Sequence, residues 1–183
     1  MSKHTLYYTL MDFGVDLENK ELQDKFNCYT GKEVANYLYD TYFETFSGVD
    51  NFIKEQKERA RKNGYITNIL GRKLYLKYIN SSDRKKRAYS ERFSVNGVIQ
   101  SSASSIMMCS QLRMINDKRL QSMDVKQILQ VHDESVSSFP KQYKEEVPHI
   151  VKELMEDPFE GRIETEVKFT VDYDIGESYY SAK

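Results

Sequence analysis

The sequence predicts an α+β fold: several helices packed against a small antiparallel sheet that is covered on one side. Three observations predict it. Apolar residues recur at helical spacing in two stretches, Val34, Leu38, Tyr42 and Phe46, and later Val147, Ile150, Val151, Leu154 and Met155. The segment "LQVHDESVSSF", residues 129–139, runs apolar into a polar turn and out again with alternation, the pattern of a hairpin. Near the end, "IETEVKFTVDY" alternates cleanly. Ile163, Thr165, Val167, Phe169 and Val171 fall on one side, and Glu164, Glu166, Lys168, Thr170 and Asp172 on the other, a strand with one wet face. With 183 residues, 39% of them hydrophobic, the chain can bury one core, and no repeat or long linker marks a second domain.

The elements follow in order. Residues 1–29 are aromatic and lack periodicity until "LENKELQDKF". Thr30 and Glu33 form a capping-box pattern and start the helix whose core stripe is Val34, Leu38, Tyr42 and Phe46. Ser47 and Gly48 end it, Ser47 caps the next, and that second helix stops near Asn63 and Gly64. "YITNILGRKLYL" reads as two short strands turning near Leu70 and Gly71. Ser82 or Asp83 can cap a helix through about Asn96, with a kink expected at Gly97 before a second stretch to about Asn116. The low-bulk run "SSASS", residues 101–105, would in a helix let another backbone or a nucleic-acid groove approach closely, with tight helix–helix packing as the alternative. Pro148 places the start or a kink of the next helix at "VPHIVKELM".

The net charge is −1, but its distribution is uneven. Between Lys54 and Arg92 there are 13 Lys or Arg against 4 Asp or Glu, and from Asp133 to Lys183 there are 6 against 13. A basic middle suggests a polyanion on one face, although a solvated helix surface gives the same count. Cys28 and Cys109 lie far apart with no metal-like spacing and fit free thiols in a reducing compartment. The first residues lack the order of a signal peptide, and no stretch approaches the roughly 18 apolar residues of a membrane span. A soluble, cytoplasmic protein with no membrane partner is expected.

The hairpin tip carries His132, Asp133 and Glu134. Carboxylates on a rigid turn suit a hard cation such as Mg²⁺, which takes oxygen ligands and completes its shell with water and substrate phosphates. A zinc site needs more nitrogen or sulfur ligands, and His4 and His149 have no supporting pattern. An HD-type phosphohydrolase needs a helical dyad, whereas this one follows a strand. By itself, a polar triplet in a turn is more often a solvated turn than a site.

Its context carries more. "GYITNILGRKLYL", "ERFSVNGVIQSSASSI" and "QVHDE" occur in that order. Together they resemble the C-terminal part of the family A DNA polymerases, the bacterial DNA polymerase I-like enzymes. That family carries "GY-V-E-T-L-x-GRR", "ERxxxNxPxQGxAAD" and "QVHDE" segments and ends in a strand followed by "GxxW". Here "YDIGESYYSAK" closes the chain, with Tyr179 in the tryptophan place. The resemblance covers roughly residues 30–183 and implies a partial palm, its QVHDE hairpin packed against several helices. Residues 1–29 are then an N-terminal segment, a fingers-side remnant or a divergent extension.

The resemblance implies roles. Asp133 matches the second palm aspartate and is the expected metal ligand, and Glu134 is its neighbouring catalytic carboxylate. Mg²⁺ is the implied cofactor, in a two-metal site. His132 and Gln100 match contacts to the primer–template minor groove, whose acceptors are nearly the same for every correct pair. Arg92 and Asn96 match template-strand contacts, and their spacing of four with Gln100 puts all three on one helix face. Arg72 matches a basic turn on the DNA backbone.

Departures from the pattern are specific. Ser101 stands for glycine and Ser105 for aspartate, and "GRRR" is "GRKL". The first catalytic aspartate, in "DxSxxE", and the "KxxxFGxxYG" helix that binds the incoming nucleotide have no match. Lys3 and Tyr7 fall at a similar interval, but Tyr8 and Met11 replace the glycine and second tyrosine, so an apolar segment is expected there. The expectation is a piece of a DNA-directed DNA polymerase, from a split phage-type gene, that takes primer–template DNA and deoxynucleoside triphosphates. An upstream polymerase fragment would complete it in trans, in the host cytoplasm. The alternative is a non-catalytic DNA-binding remnant, and a metal-dependent hydrolase acting alone is least favoured.

Overall fold

The computed structural model describes residues 2–182, which form two compact units, the first ending at Arg59 and the second beginning at Ala60. The first unit is helical. Helix α1 (Lys3–Asp12) starts at Ser2, whose hydroxyl accepts from Thr5 N, and α2 (Lys20–Lys25) starts at Asn19, which accepts from two backbone amides. Helix α3 (Gly31–Thr45) begins with the expected capping box, Thr30 Oγ1 accepting from Glu33 N while Glu33 accepts from Thr30 N. Leu17, Val34 and Ala35 form its buried core, with Tyr7, Leu10, Leu22, Phe26, Cys28 and Leu38 packed around them. Lys3 pairs with Asp40, and Tyr7 donates to Glu18, so both residues are tied inside this helical unit.

The α3 stripe departs from expectation at its far end. Val34 is buried, Leu38 half-buried, but Tyr42 and Phe46 are 49% and 54% exposed. The buried core lies against the first turns of α3 only, so a periodic stripe longer than its cover remains in water. Helix α4 (Ser47–Asn63) takes Ser47 as its first residue, one position earlier than a Ser47 cap requires. It stops at Gly64, whose φ of +75° is the left-handed geometry that ends helices.

The second unit holds two separate hairpins and three helices. Strands β1 (Tyr65–Thr67) and β2 (Lys73–Tyr75) pair antiparallel, as do β3 (Lys126–Val131) and β4 (Glu134–Ser138). Helix α5 (Arg84–Asn116) is followed by α6 (Lys118–Ser122) and, after the second hairpin, α7 (Glu146–Glu156). One core joins Ala60, Ile66, Leu76 and Ile79 to Leu74 and Val98. The other joins Met114, Leu120, Val147 and Leu154 to Val125, Phe139, Ile150 and neighbouring side chains. Pro148 occupies the third position of α7, still in the first turn, where its missing N–H leaves no bond broken.

Two expectations are corrected here. Gly97 does not divide α5 into two stretches: the helix runs uninterrupted for 33 residues, about 50 Å. Gly97 is buried because a neighbour needs the space: a Cβ there would meet Ile66 Cδ1 at 3.1 Å and Phe93 Cε1 at 3.0 Å. Residues 163–172 form no strand, because a strand needs an adjacent backbone and side chains serve this segment instead. Val171 N donates to Glu156 Oε1 at 3.1 Å, Phe169 meets Phe159 edge-on, and Tyr173 meets His149 edge-on. The alternation survives as burial. Ile163, Thr165, Phe169 and Val171 are half-buried and the intervening residues exposed, with Val167 the exception.

Asp117 is the joint of this unit, ending α5 and capping α6. Its carboxylate accepts from Arg119 N, Leu120 N and the Arg119 guanidinium, and Arg119 continues to Glu153 on α7. The Arg119 hydrogen bond holds the Asp117 carboxyl below its ordinary value of 3.8, against the opposing pull of partial burial. A depressed carboxyl stabilises the fold above its unfolded value and loses that contribution as pH falls through the folded one. Asp117→Asn keeps a good cap but removes the charge. It should therefore melt below the parent at pH 7, with the gap closing below about pH 4, as thermal unfolding followed by circular dichroism would record.

Candidate nucleic-acid interface and carboxylate turn

Helix α5 buries mostly small residues and exposes a mixture of polar and apolar ones. Ser90, Ser94, Gly97, Ser105 and Ser110 are buried. The buried hydroxyls stay satisfied by bonding backward along the helix, Ser94 Oγ donating to Glu91 O at 2.8 Å and Ser110 Oγ to Ile106 O at 3.2 Å. Arg92, Asn96 and Gln100 are all exposed, as their four-residue spacing predicts for one face.

The low-bulk run on α5 packs against the β1–β2 turn. Asn68, only 6% exposed, donates through Nδ2 to Ser101 O at 3.2 Å and Ser105 Oγ at 2.8 Å. Its Oδ1 accepts from Leu70 N and Arg72 N, both at 3.0 Å. Ile69 N donates to Ser102 Oγ at 3.0 Å, and Gly71 supplies the turn's positive φ of +76°. Of the readings left open for "SSASS", close approach of another backbone is the one observed for Ser101, Ser102 and Ser105, and that backbone belongs to a turn where the alternative expected a helix. Ser105, where the family pattern has aspartate, is a hydrogen-bond partner of Asn68 here. Asn68 itself had no signal in the sequence beyond its place in a turn. Arg72 leaves this clamped turn exposed to solvent.

The second hairpin has a two-residue turn, His132 and Asp133, between Val131 and its partner Glu134. His132 has φ +55°, a conformation for which histidine is more tolerant than most side chains, and Gln130 Nε2 donates to its carbonyl at 3.1 Å. His132 and Asp133 are exposed and Glu134 is half-buried. A register shift between Gln127 and Leu129 makes Ile128 an extra residue, a bulge that periodicity could not reveal. Gln127 Nε2 donates to Gln111 O and ties the hairpin to α5 well beyond Gln100. The Arg72 turn and the base of the second hairpin are thus fixed to different levels of one helix.

Oxygen donors at Asp133 and Glu134 fit a hard divalent cation in kind. Among the described residues, however, no three His, Cys, Asp or Glu side chains gather to hold one. A cleft of about 580 Å³ beside the C-terminal half of α5 is lined by Leu70, Cys109, Leu112, Phe159 and Ile163 among others, and Asp133 is not part of it. No helix among the described residues is long and apolar enough to cross a membrane. Cys28 and Cys109 are free, half-buried thiols.

A long helix exposing Arg92, Asn96 and Gln100, a clamped basic turn and a hairpin tipped with carboxylates suit a protein that handles a polyanion. Comparison with known proteins gives the class. The model of DNA polymerase family A matches residues 11–181. DNA polymerase I of Streptococcus pneumoniae is 34% identical over 178 residues, covering 96% of this chain and 19% of that protein. DNA polymerase I of Caldicellulosiruptor bescii is 30% identical over 178 residues, covering 97% and 19%. The POL domain of Pol1 from M. smegmatis, solved in complex with DNA primer-template and dNTP, superposes with a TM-score of 0.67 at 26% identity, covering 86% of this chain and 27% of that one. The chain belongs to DNA polymerase family A. It spans less than a fifth of the length of these two DNA polymerase I relatives.

The Asn68 clamp makes a stability prediction. Asn68→Ala leaves backbone amides in the turn and Ser105 without partners, a loss of about 2–4 kcal/mol. Ser105→Ala removes one neutral bond and should cost about 1 kcal/mol. Denaturant unfolding should rank the two in that order, and equal losses would show that the amide does not organise the turn.

Proposed function

We propose that this chain is the segment of a DNA-directed DNA polymerase that holds primer–template DNA and presents one carboxylate wall of the catalytic metal site. The observation that carries this reading is the joint exposure of Arg92, Asn96 and Gln100 on one face of α5, together with an outward-held turn carrying His132 and Asp133. In this reading Arg72, Arg92 and Asn96 bind the template side, and Gln100 and His132 meet the minor groove at the primer end. Such contacts test pair geometry without reading sequence.

Asp133, with Glu134 beside it, would hold Mg²⁺, and the remaining ligands would come from substrate phosphates and polymerase sequence outside these residues. When bound, a metal pair supplies charge neutralisation for attack of the primer 3′-hydroxyl on a nucleotide α-phosphate. An upstream polymerase segment carrying the "DxSxxE" and "KxxxFGxxYG" patterns, supplied in trans, completes the site.

Primer extension tests this assignment. The chain combined with such an upstream segment should extend a primer, and Asp133→Asn should abolish the extension. A substituted complex that keeps most of its activity would remove Asp133 from the catalytic role. A complex that binds primer–template without ever extending it would make the chain a DNA-binding remnant.

Binding gives an independent measure. Each phosphate contact to duplex DNA contributes about −0.9 to the slope of log affinity against log salt. Arg72→Ala and Arg92→Ala should each flatten that slope by up to about one unit, equally across DNA sequences. An unchanged slope in both would place these side chains away from the backbone.

A further inference from the structure

We propose that the outer face of the β1–β2 hairpin, with the turn that follows it, is a stacking platform for single-stranded nucleic acid. The register sets Tyr65 opposite Tyr75 and Thr67 opposite Lys73, while Ile66 and Leu74 point the other way into the core. The tyrosine rings meet at 5.7 Å, and the Lys73 ammonium lies 4.5 Å from the Tyr65 ring centre. Three residues on, Tyr78 has two ammonium groups near its ring, Lys77 at 5.6 Å and Lys86 at 5.4 Å. Leu76 between them is buried, and its N–H donates to Gly64 O at 2.8 Å, so both tyrosines stand on pinned backbone.

A cross-strand aromatic pair stabilises a hairpin, which accounts for the contact between Tyr65 and Tyr75. It does not account for exposure. Tyr75 leaves 77% of its surface in water, so most of its ring is accessible to a further partner. The exposed Tyr75 ring, flanked by tyrosines that carry ammonium groups, matches the chemistry of a single strand, whose unstacked bases offer ring faces and whose phosphates offer charge. Duplex DNA keeps its base faces stacked and has nothing to lay on these rings. The charge of this stretch, 13 basic residues against 4 acidic between Lys54 and Arg92, fits a polyanion. The polymerase reading supplies only the identity of the strand, an unpaired stretch of template; the binding itself follows from the platform.

The test uses the full 183-residue chain and fluorescence anisotropy over a salt series. The probes are a labelled oligothymidylate of about 15 nucleotides, within the range of known single-strand sites, and a duplex of equal length. Tyr75→Leu should weaken oligothymidylate binding by about tenfold, leave its salt slope unchanged and leave duplex binding unchanged. Tyr75→Trp should retain the affinity, and Lys73→Gln should flatten the single-strand slope by up to about 0.7. Tyr78→Leu, outside the paired strands, should weaken single-strand binding severalfold with the hairpin intact by circular dichroism. Parental oligothymidylate affinity in both leucine variants, or an equal loss on duplex, overturns the platform. Primer extension by the completed enzyme is scored separately, so its failure would leave this binding result standing, and the reverse.

Discussion

The side-chain amide of Asn68 makes four hydrogen bonds in a site only 6% exposed, and the second unit's presentation of charge depends on them. Two bonds run to α5 and two run back into the turn, so one planar group fixes both the turn's shape and its seat on the helix. A buried amide left half-satisfied costs more than its bonds contribute when complete. The arrangement is therefore cooperative: a turn displaced from α5 would lose its internal geometry as well, and Arg72 with it. The hairpin's outer tyrosines inherit the same restraint through β2.

The small residues of α5 make that seat possible. Gly97 admits Ile66, and Ser101, Ser102 and Ser105 let backbone and amide approach where larger side chains would hold them off. A helix interior rich in serine and glycine has modest intrinsic propensity, and 33 residues of it persist because tertiary contacts cover one face along its length. Rigidity follows for the opposite face. Arg92, Asn96 and Gln100 project from a helix anchored by what is buried behind them, the kind of support that precise contacts need.

The sequence made the local signals legible and left the non-local ones hidden. Caps at Thr30 and Asp83, the stop at Gly64 and both hairpins depend on neighbours within a few residues, and each appears where composition and spacing place it. The failures are all questions of cover. Whether Tyr42 and Phe46 are buried depends on how far the first unit's core extends, which periodicity does not encode. Whether residues 163–172 pair depends on an available strand edge. Gly97 was read through its backbone freedom, while its actual role is the space it leaves for Ile66. For the candidate site, the exposure of Arg92, Asn96 and Gln100 together on α5 was legible from their spacing, whereas Asn68's role and the Ile128 bulge depend on partners about 30 residues away or on a partner strand's count.

Charge shows why the basic stretch is open to a partner despite a net charge of −1. Within and beside that stretch, carboxylates are consumed locally: Asp50 by Lys54, Glu55 by Arg59, Asp83 by Lys86 and Glu91 by Arg61. The acidic C-terminal part supplies other cations. Asp157 and Glu160 pair with Arg113, Glu153 with Arg119, Glu156 with Lys152 and Glu177 with Lys141. Pairs whose two partners are both exposed add little to stability, but they occupy much of the acidic charge locally. With 13 basic residues against 4 acidic between Lys54 and Arg92, local pairing leaves a surplus that only solvent ions or a polyanion can neutralise. In the proposed function, releasing those ions to phosphate would be favourable at low salt and fade as salt rises, so the imbalance that would attract a nucleic acid would also set the conditions for its release.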